Sequence, residues 1–333
     1  MIDFSKLSAP TKLQSILIWV GNIIFLVIAV AILLHWGDWR RFLALLARIQ
    51  LQWLIFAFLL QLGTYFCMAL IWKFTLGHCD ISISKRNLFA LSLAKLFFDQ
   101  VLPSFGMSGN LVVMHGFIRR KCSAGVAAAA VVINTTSRYL PYFILFIIAI
   151  GIVWKNQGMN RGLEYLTVIF FVVIMAITAG IFAIIKLTKN KKIPRFLHKI
   201  RWLNWLIETI HEIPKKTLGH WGLWTVGCVA NAAIFLLDSA TLWALLASLG
   251  VLNPSWSHAY ATFMIASVIT DLAFIPGKVG VFEGSLVAFL RLFQVPFEEA
   301  LAAVVLFRGL TFWLPMIPGF LISQRELQKK SHH

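Results

Sequence analysis

The chain has 333 residues, of which 59% are hydrophobic and 13% charged, with a mean hydropathy of +0.82. Soluble domains carry about 25% charged residues, so this composition excludes a soluble globular protein and defines an integral membrane protein. The formal net charge of +17 lies in short segments between apolar spans, as the retention of Lys and Arg at the inner face requires; no basic soluble module exists to bind nucleic acid.

The first apolar run, Ile16–Leu34, predicts a span at about 13–35, with Asn22 its one polar residue and no small-residue cleavage site after it. Asp38–Ile49 places Phe42, Leu45, Leu46 and Ile49 on one face, the pattern of an interfacial amphipathic helix. A second span follows at about 51–75. Leu88–Leu102 is too short to cross easily and ends in Pro103-Ser104-Phe105-Gly106-Met107-Ser108-Gly109-Asn110. A short apolar run, 111–118, then reaches Arg119-Arg120-Lys121. This predicts two half-helices that enter and leave on the cytoplasmic face. The long apolar stretch 123–154 is broken by Asn134-Thr135-Thr136-Ser137-Arg138 and by Pro141, and another span covers about 163–185.

The central loop, 186–217, holds nine Lys/Arg against Glu208 and Glu212, which fixes its side as cytoplasmic. Within it, Pro194 to Pro214 bracket an amphipathic helix carrying Phe196, Ile200, Leu203, Ile207 and Ile210. A span at about 218–249 carries Asp238, and a charge-free loop, 250–257, follows. The segment 258–294 is interrupted by Ile275-Pro276-Gly277-Lys278-Val279-Gly280-Val281-Phe282-Glu283-Gly284, which predicts a second re-entrant pair, opening outward. The last span, about 298–322, carries Arg308, Pro315 and Pro318, and the basic tail Arg325, Lys329 and Lys330 stays cytoplasmic. Arg40, Arg41 and Arg48 run against this topology, since it turns them outward.

The two halves repeat one pattern. Pro103, Gly106 and Asn110 precede Arg138-Tyr139-Leu140 much as Pro276, Gly280 and Glu283 precede Arg308-Gly309-Leu310. The expected fold is therefore an all-α polytopic transmembrane bundle with two inverted-topology repeats, each containing a re-entrant broken-helix hairpin. Its expected divisions are a first membrane half at 1–185 (hairpin about 88–118), the basic loop at 186–217, and a second half at 218–333 (hairpin about 258–294).

A charge inside a span costs at least about 2.5 kcal/mol on insertion scales, so each one calls for a reason. Arg138 and Arg308 read either as a clamp for a head-group phosphate, which a planar guanidinium suits, or as partners of Asp238 or Asp271. Lys278 reads as a further cation for the phosphate or as a snorkelling lysine. Gly106, Gly109, Gly277 and Gly280 allow backbone N–H groups to face an anion, or simply make tight turns. Glu283 is expected to cap a half-helix or to couple protons. Asp99, Asp238 and Asp271 are candidates for pairing or proton coupling. Cys67, Cys79, Cys122 and Cys228 make no C-x-x-C pair, and no His spacing fits zinc. No metal, cofactor or catalytic constellation is expected, and the chain is not expected to be an enzyme.

At these residues the chain resembles a known family. The Pro-Gly-Lys-Val-Gly-Val-Phe-Glu run at 276–283 looks like the Pro-Gly-Gly-x-Gly-x-x-Glu motif of the lysylphosphatidylglycerol synthase/flippase transmembrane region. The Leu102–Gly109 run resembles that family's first Pro/Gly-rich loop, and Arg138 and Arg308 stand where it has arginines. Lys278 departs from the usual glycine, and Asn110-Leu111 from a charged pair. Larger members carry a soluble aminoacyl-transferase domain, so the resemblance implies the flippase-like half only. It implies translocation of a phosphate-bearing lipid or lipid-linked sugar between leaflets; a membrane-embedded transferase or accessory subunit of lipid modification is the alternative. The expected partners are anionic phospholipid, a polyprenyl-phosphate-linked species or a lipid-synthesis enzyme, with oligomerisation left open, in the cell inner membrane.

Overall fold

The computed structural model describes residues 49–101, 107–157, 161–189, 215–251, 255–273 and 280–328, with Leu45 and Ala47. All elements there are helical: α1 Leu51–Gly77, α2 Lys85–Val101, α3 Met107–Ile118, α4 Ala124–Gln157, α5 Arg161–Lys189, α6 Lys215–Leu218, α7 Trp221–Ser248, α8 Trp256–Leu272, α9 Val281–Leu292, α10 Phe297–Arg308, a π-helical turn Gly309–Trp313, and α11 Leu314–Gln328. No strand occurs among the described residues. The first span, the Asp38–Ile49 helix save its end, the basic loop helix and both Pro/Gly loop tips lie outside them.

Four helical stretches are long and apolar enough to cross a bilayer: Leu51–Gly77, Ala124–Asn156, Trp221–Ser248 and Phe297–Ile322. In hydrocarbon every backbone group must bond within the protein, and a continuous helix does this within one segment. Their lipid-side residues, such as Leu59, Phe66, Ile148 and Val229, are exposed and apolar, as a lipid solvent permits.

α1 and α7 pack antiparallel along their whole length. Gln50 N donates to Ser248 O at 2.9 Å at one end, Trp53 stacks edge-on against Trp243, and His78 meets His220 at the other end. α2 and α3 are shorter, about 25 and 18 Å at 1.5 Å per residue. They also lie antiparallel: Gly109 abuts Asp99 and Lys95, and Gly116 abuts Leu91. α8 and α9 form a second antiparallel pair of the same lengths, with Phe263 against Phe282 and His258 stacked on Phe293.

The open ends of the two pairs lie at opposite ends of the bundle. Cys79 Sγ lies 3.4 Å from Thr217 Oγ1, and Ile81, Phe117, Cys122 and Leu218 share one apolar cluster, so α2 begins and α3 ends beside the start of α7. α8 begins, and α9 ends, beyond the far end of α7, where Val251 and Val295 join the other main cluster.

The sequence pattern placed breaks at Asn134–Arg138 and Pro141; instead α4 runs unbroken from Ala124 to Gln157 with Pro141 inside it. A proline removes one N–H, whereas unwinding in hydrocarbon would strand several groups. The polar side chains find partners instead. Asn110 Nδ2 donates to Thr135 Oγ1 at 2.9 Å, and Asn231 Nδ2 donates to Ser137 Oγ at 3.3 Å. Close approach there needs a glycine: a Cβ on Gly227 would stand 2.4 Å from Ser137 Oγ.

Candidate functional site

The last span is not one α-helix. Its π-helical turn has Leu314 N donating to Gly309 O, so in the same register Leu310 O would receive its bond from residue 315. That residue is Pro315, which has no N–H. The Tyr65 hydroxyl donates to Leu310 O instead, at 3.0 Å, and Gln100 Nε2 donates to Thr311 O at 3.4 Å. The proline explains why α1 and α2 supply polar side chains to these carbonyls.

Arg308 directly precedes this turn. Its Nε donates to Glu283 Oε1 in an ion pair, and both side chains are largely buried. The other carboxylate oxygen, Oε2, accepts the Gly280 N–H at 2.6 Å. Glu283 thus closes half of a capping box at the start of α9 and favours the positive end of that helix. Gly280 takes φ +87°, a left-handed conformation that glycine reaches without penalty. Arg308 also lies over the rings of Phe282 and Phe312, at 5.2 and 4.6 Å. Its partner is Glu283, not Asp238 or Asp271.

Asp99, near the loop end of the first helix of the first pair, also joins an ion pair to a backbone N–H. Its Oδ2 pairs with Lys95 one turn earlier, and its Oδ1 accepts the Gly109 N–H at 2.9 Å. Gly109 therefore faces a carboxylate of its own chain, and a Cβ there would stand 2.4 Å from Asp99 Oδ1. Lys95 was not among the sequence candidates, although its spacing of four residues from Asp99 on a helix was the available signal.

Arg138 is placed differently. It is exposed, its guanidinium lies over Phe235 at 5.1 Å and Tyr142 at 5.8 Å, and it makes no ion pair among the described residues. One turn before it, Thr135 receives Asn110 from the first helix pair. One turn after it, the Tyr142 hydroxyl donates to Asp271 Oδ2 of the second pair at 3.0 Å. Arg138 therefore sits on α4 between residues contacted by both helix pairs. Asp238 faces α1, where it accepts from the Thr64 hydroxyl at 3.3 Å. Gly106, Gly277 and Lys278 lie outside the described residues.

A bundle with four spanning helices, two short helix pairs opening at opposite ends and charged side chains held inside it defines a multi-pass membrane protein. The chain belongs to the lysylphosphatidylglycerol synthase TM region family, whose profile matches residues 18–319. It is similar to a UPF0104 membrane protein of Methanocaldococcus jannaschii, with 26% identity over 84% of this chain and 87% of the relative. A UPF0104 membrane protein of Methanothermobacter thermautotrophicus shares 22% identity over 73% of this chain and 76% of its own.

Proposed function

We propose that this protein translocates a phosphate-bearing lipid between the leaflets of the inner membrane, with Arg138 as the head-group clamp. The carrying observation is that Arg138 is an exposed guanidinium, without an ion pair among the described residues, inside a membrane-spanning helix. A guanidinium fork binds a phosphate through paired charge-assisted hydrogen bonds. Arg308 has the same chemistry but is already neutralised by Glu283, so in this reading it shapes the site and does not hold the phosphate. In this reading the two short helix pairs act as re-entrant hairpins of an inverted repeat and flank the path of the head group while the acyl chains stay in lipid. Access alternates by rocking one half, 1–185, against the other, 218–333. Lys278, Gly106 and Gly277 are further candidates for that phosphate on the sequence pattern alone.

The end that carries Lys85, Arg86, Arg119, Arg120 and Lys121 is the cytoplasmic one in this reading, and the C-terminus lies on the same side. Family membership and the resemblance of the Pro-Gly-Lys-Val-Gly-Val-Phe-Glu run support a lipid as the substrate.

The test is leaflet exchange of labelled anionic phospholipid in proteoliposomes. Native protein is expected to speed exchange well above empty vesicles, and Arg138→Ala to bring it back to the empty-vesicle rate. Native protein no faster than empty vesicles across several head groups would instead favour an accessory subunit of a lipid-modifying enzyme.

A further inference from the structure

Asp238 lies inside the spanning helix α7 and is half-buried. α1 supplies its hydrogen-bond donors. The Thr64 hydroxyl donates to Asp238 Oδ1 at 3.3 Å. Gln61, one turn earlier and 3% exposed, turns its N–H side to the carboxylate, and its Oε1 has no donor among the described residues. Such neutral donors spread the charge of a carboxylate without cancelling it, so a span that carries one calls for a compensating cation.

Arg138 supplies that charge. Asn231 donates to Ser137 Oγ and Tyr142 stacks on Phe235, so α4 and α7 run side by side in the same direction. The Arg138 guanidinium lies 5.1 Å from the centre of the Phe235 ring. Asp238 follows Phe235 by three positions, so the two are neighbours on the surface of α7. The opposite charges of Arg138 and Asp238 act on each other without forming an ion pair among the described residues. The rings of Phe235 and Tyr142 hold the guanidinium short of the carboxylate. The other charges of this region are engaged elsewhere: Asp271 accepts from the Tyr142 hydroxyl, and Arg308 is paired with Glu283.

We propose that Asp238 is the built-in counter-ion of Arg138, a positioning residue that keeps the clamp's hold on an anionic head group weak enough for release. The proposal deepens the lipid-transport reading and rests on it. A phosphate that engages Arg138 approaches a second fixed anion. At an effective dielectric of about 20, a unit charge about 10 Å away changes the binding of another roughly tenfold. With the site empty, Asp238 balances Arg138, so the unloaded clamp can return across the membrane without lipid. A conducting site must bind well enough to load and weakly enough to unload. Without Asp238 the clamp would load more tightly and unload more slowly.

Binding is read on the full chain in detergent, by thermal unfolding against increasing short-chain phosphatidylglycerol. Short-chain diacylglycerol is the uncharged blank, and inorganic phosphate is a parallel arm. Native protein is expected to be stabilised by the phosphatidylglycerol, and Arg138→Ala to lose the response. Asp238→Asn is expected to lower the half-saturating concentration roughly tenfold, while Asp238→Glu, which keeps the charge, stays within about twofold of native. Leaflet exchange gives the second readout: Asp238→Asn should reach its half-maximal rate at a lower lipid fraction and with a lower maximum. A merely structural defect weakens binding and does not tighten it. Unchanged or weaker binding in Asp238→Asn overturns the counter-ion role and leaves the clamp standing. No native response, or one that survives Arg138→Ala, overturns the clamp and this proposal with it. An equal response to inorganic phosphate, tightened by Asp238→Asn, supports the counter-ion role and overturns the lipid as its ligand. Should Asp238→Asn fail to fold, Asp238→Ser carries the same test, because a serine hydroxyl in a helix can bond the carbonyl one turn earlier.

Discussion

Arg138 and Arg308 are identical in chemistry and both lie inside apolar helices, yet their neighbours use them differently. Arg308 has Glu283 within ion-pair distance and two aromatic rings around it. Arg138 has the rings of Phe235 and Tyr142 and no carboxylate in contact among the described residues. Glu283→Gln is expected to strand the Arg308 charge in a buried site, at a cost of about 3–5 kcal/mol. The double variant Glu283→Leu with Arg308→Met should recover most of that loss, as measured by thermal unfolding in detergent. An unaffected Glu283→Gln protein would mean that the pair adds nothing to stability. The presence of charge at both positions was legible in the sequence, because an arginine in an apolar run stands out at once. Which carboxylate each arginine meets was not legible, since that depends on the rotation of α9 about its own axis and on its distance from α10. Asp238 and Asp271 were equally good candidates on sequence alone. The orphaned Gln61 was missed for a similar reason: a glutamine in a span gives no sign of what it faces.

At the scale of elements, most helix lengths followed from apolar run lengths and from the Pro/Gly interruptions, but the polar cluster at Asn134–Arg138 and Pro141 did not interrupt α4. The π-helical turn did not, although its cause was in plain view as Pro315. A proline tells that a bond is missing, but not whether the chain answers with a kink, a wider turn or a donor from elsewhere. Glycines separate into two kinds by their surroundings. A Cβ on Gly319 would stand 2.7 Å from Leu93 O and 2.9 Å from Phe97 Cβ, where α11 meets α2. Gly284, in α9, has nothing within 4 Å. Gly319→Ala is expected to destabilise by about 1–3 kcal/mol through overpacking. Gly284→Ala should stabilise by about 0.5–1 kcal/mol through helix propensity. Thermal unfolding of both variants checks the contrast, and equal shifts would contradict the close contact of α11 with α2.

For the whole molecule, the ends of the bundle differ in charge, and the proposed orientation rests on that difference. Lys85 begins α2 at the basic end, while Glu298 lies in the first turn of α10 at the other. With the native cysteines replaced, an impermeant maleimide added outside intact cells is expected to label Glu298→Cys and to spare Lys85→Cys. Labelling of both from one side would remove the opposed arrangement of the two helix pairs from the proposed mechanism. Charge asymmetry was readable from composition alone, because it is a sum over loops and needs no packing geometry. The meeting of both pairs near the final span could not be read that way, since it joins residues from α1, α2, α9 and α10 that lie far apart along the chain.

Four consecutive positions, Arg308 to Thr311, carry attachments to three separate helices: α9 through Glu283, α1 through Tyr65 and α2 through Gln100. Such a shared anchor works like a single axle. In the proposed transport cycle, a swing of either short pair would turn the axle, and the other pair would have to follow or break a bond. The two doors of the proposed passage would then open in strict alternation, and a channel open at both ends would require losing an attachment first.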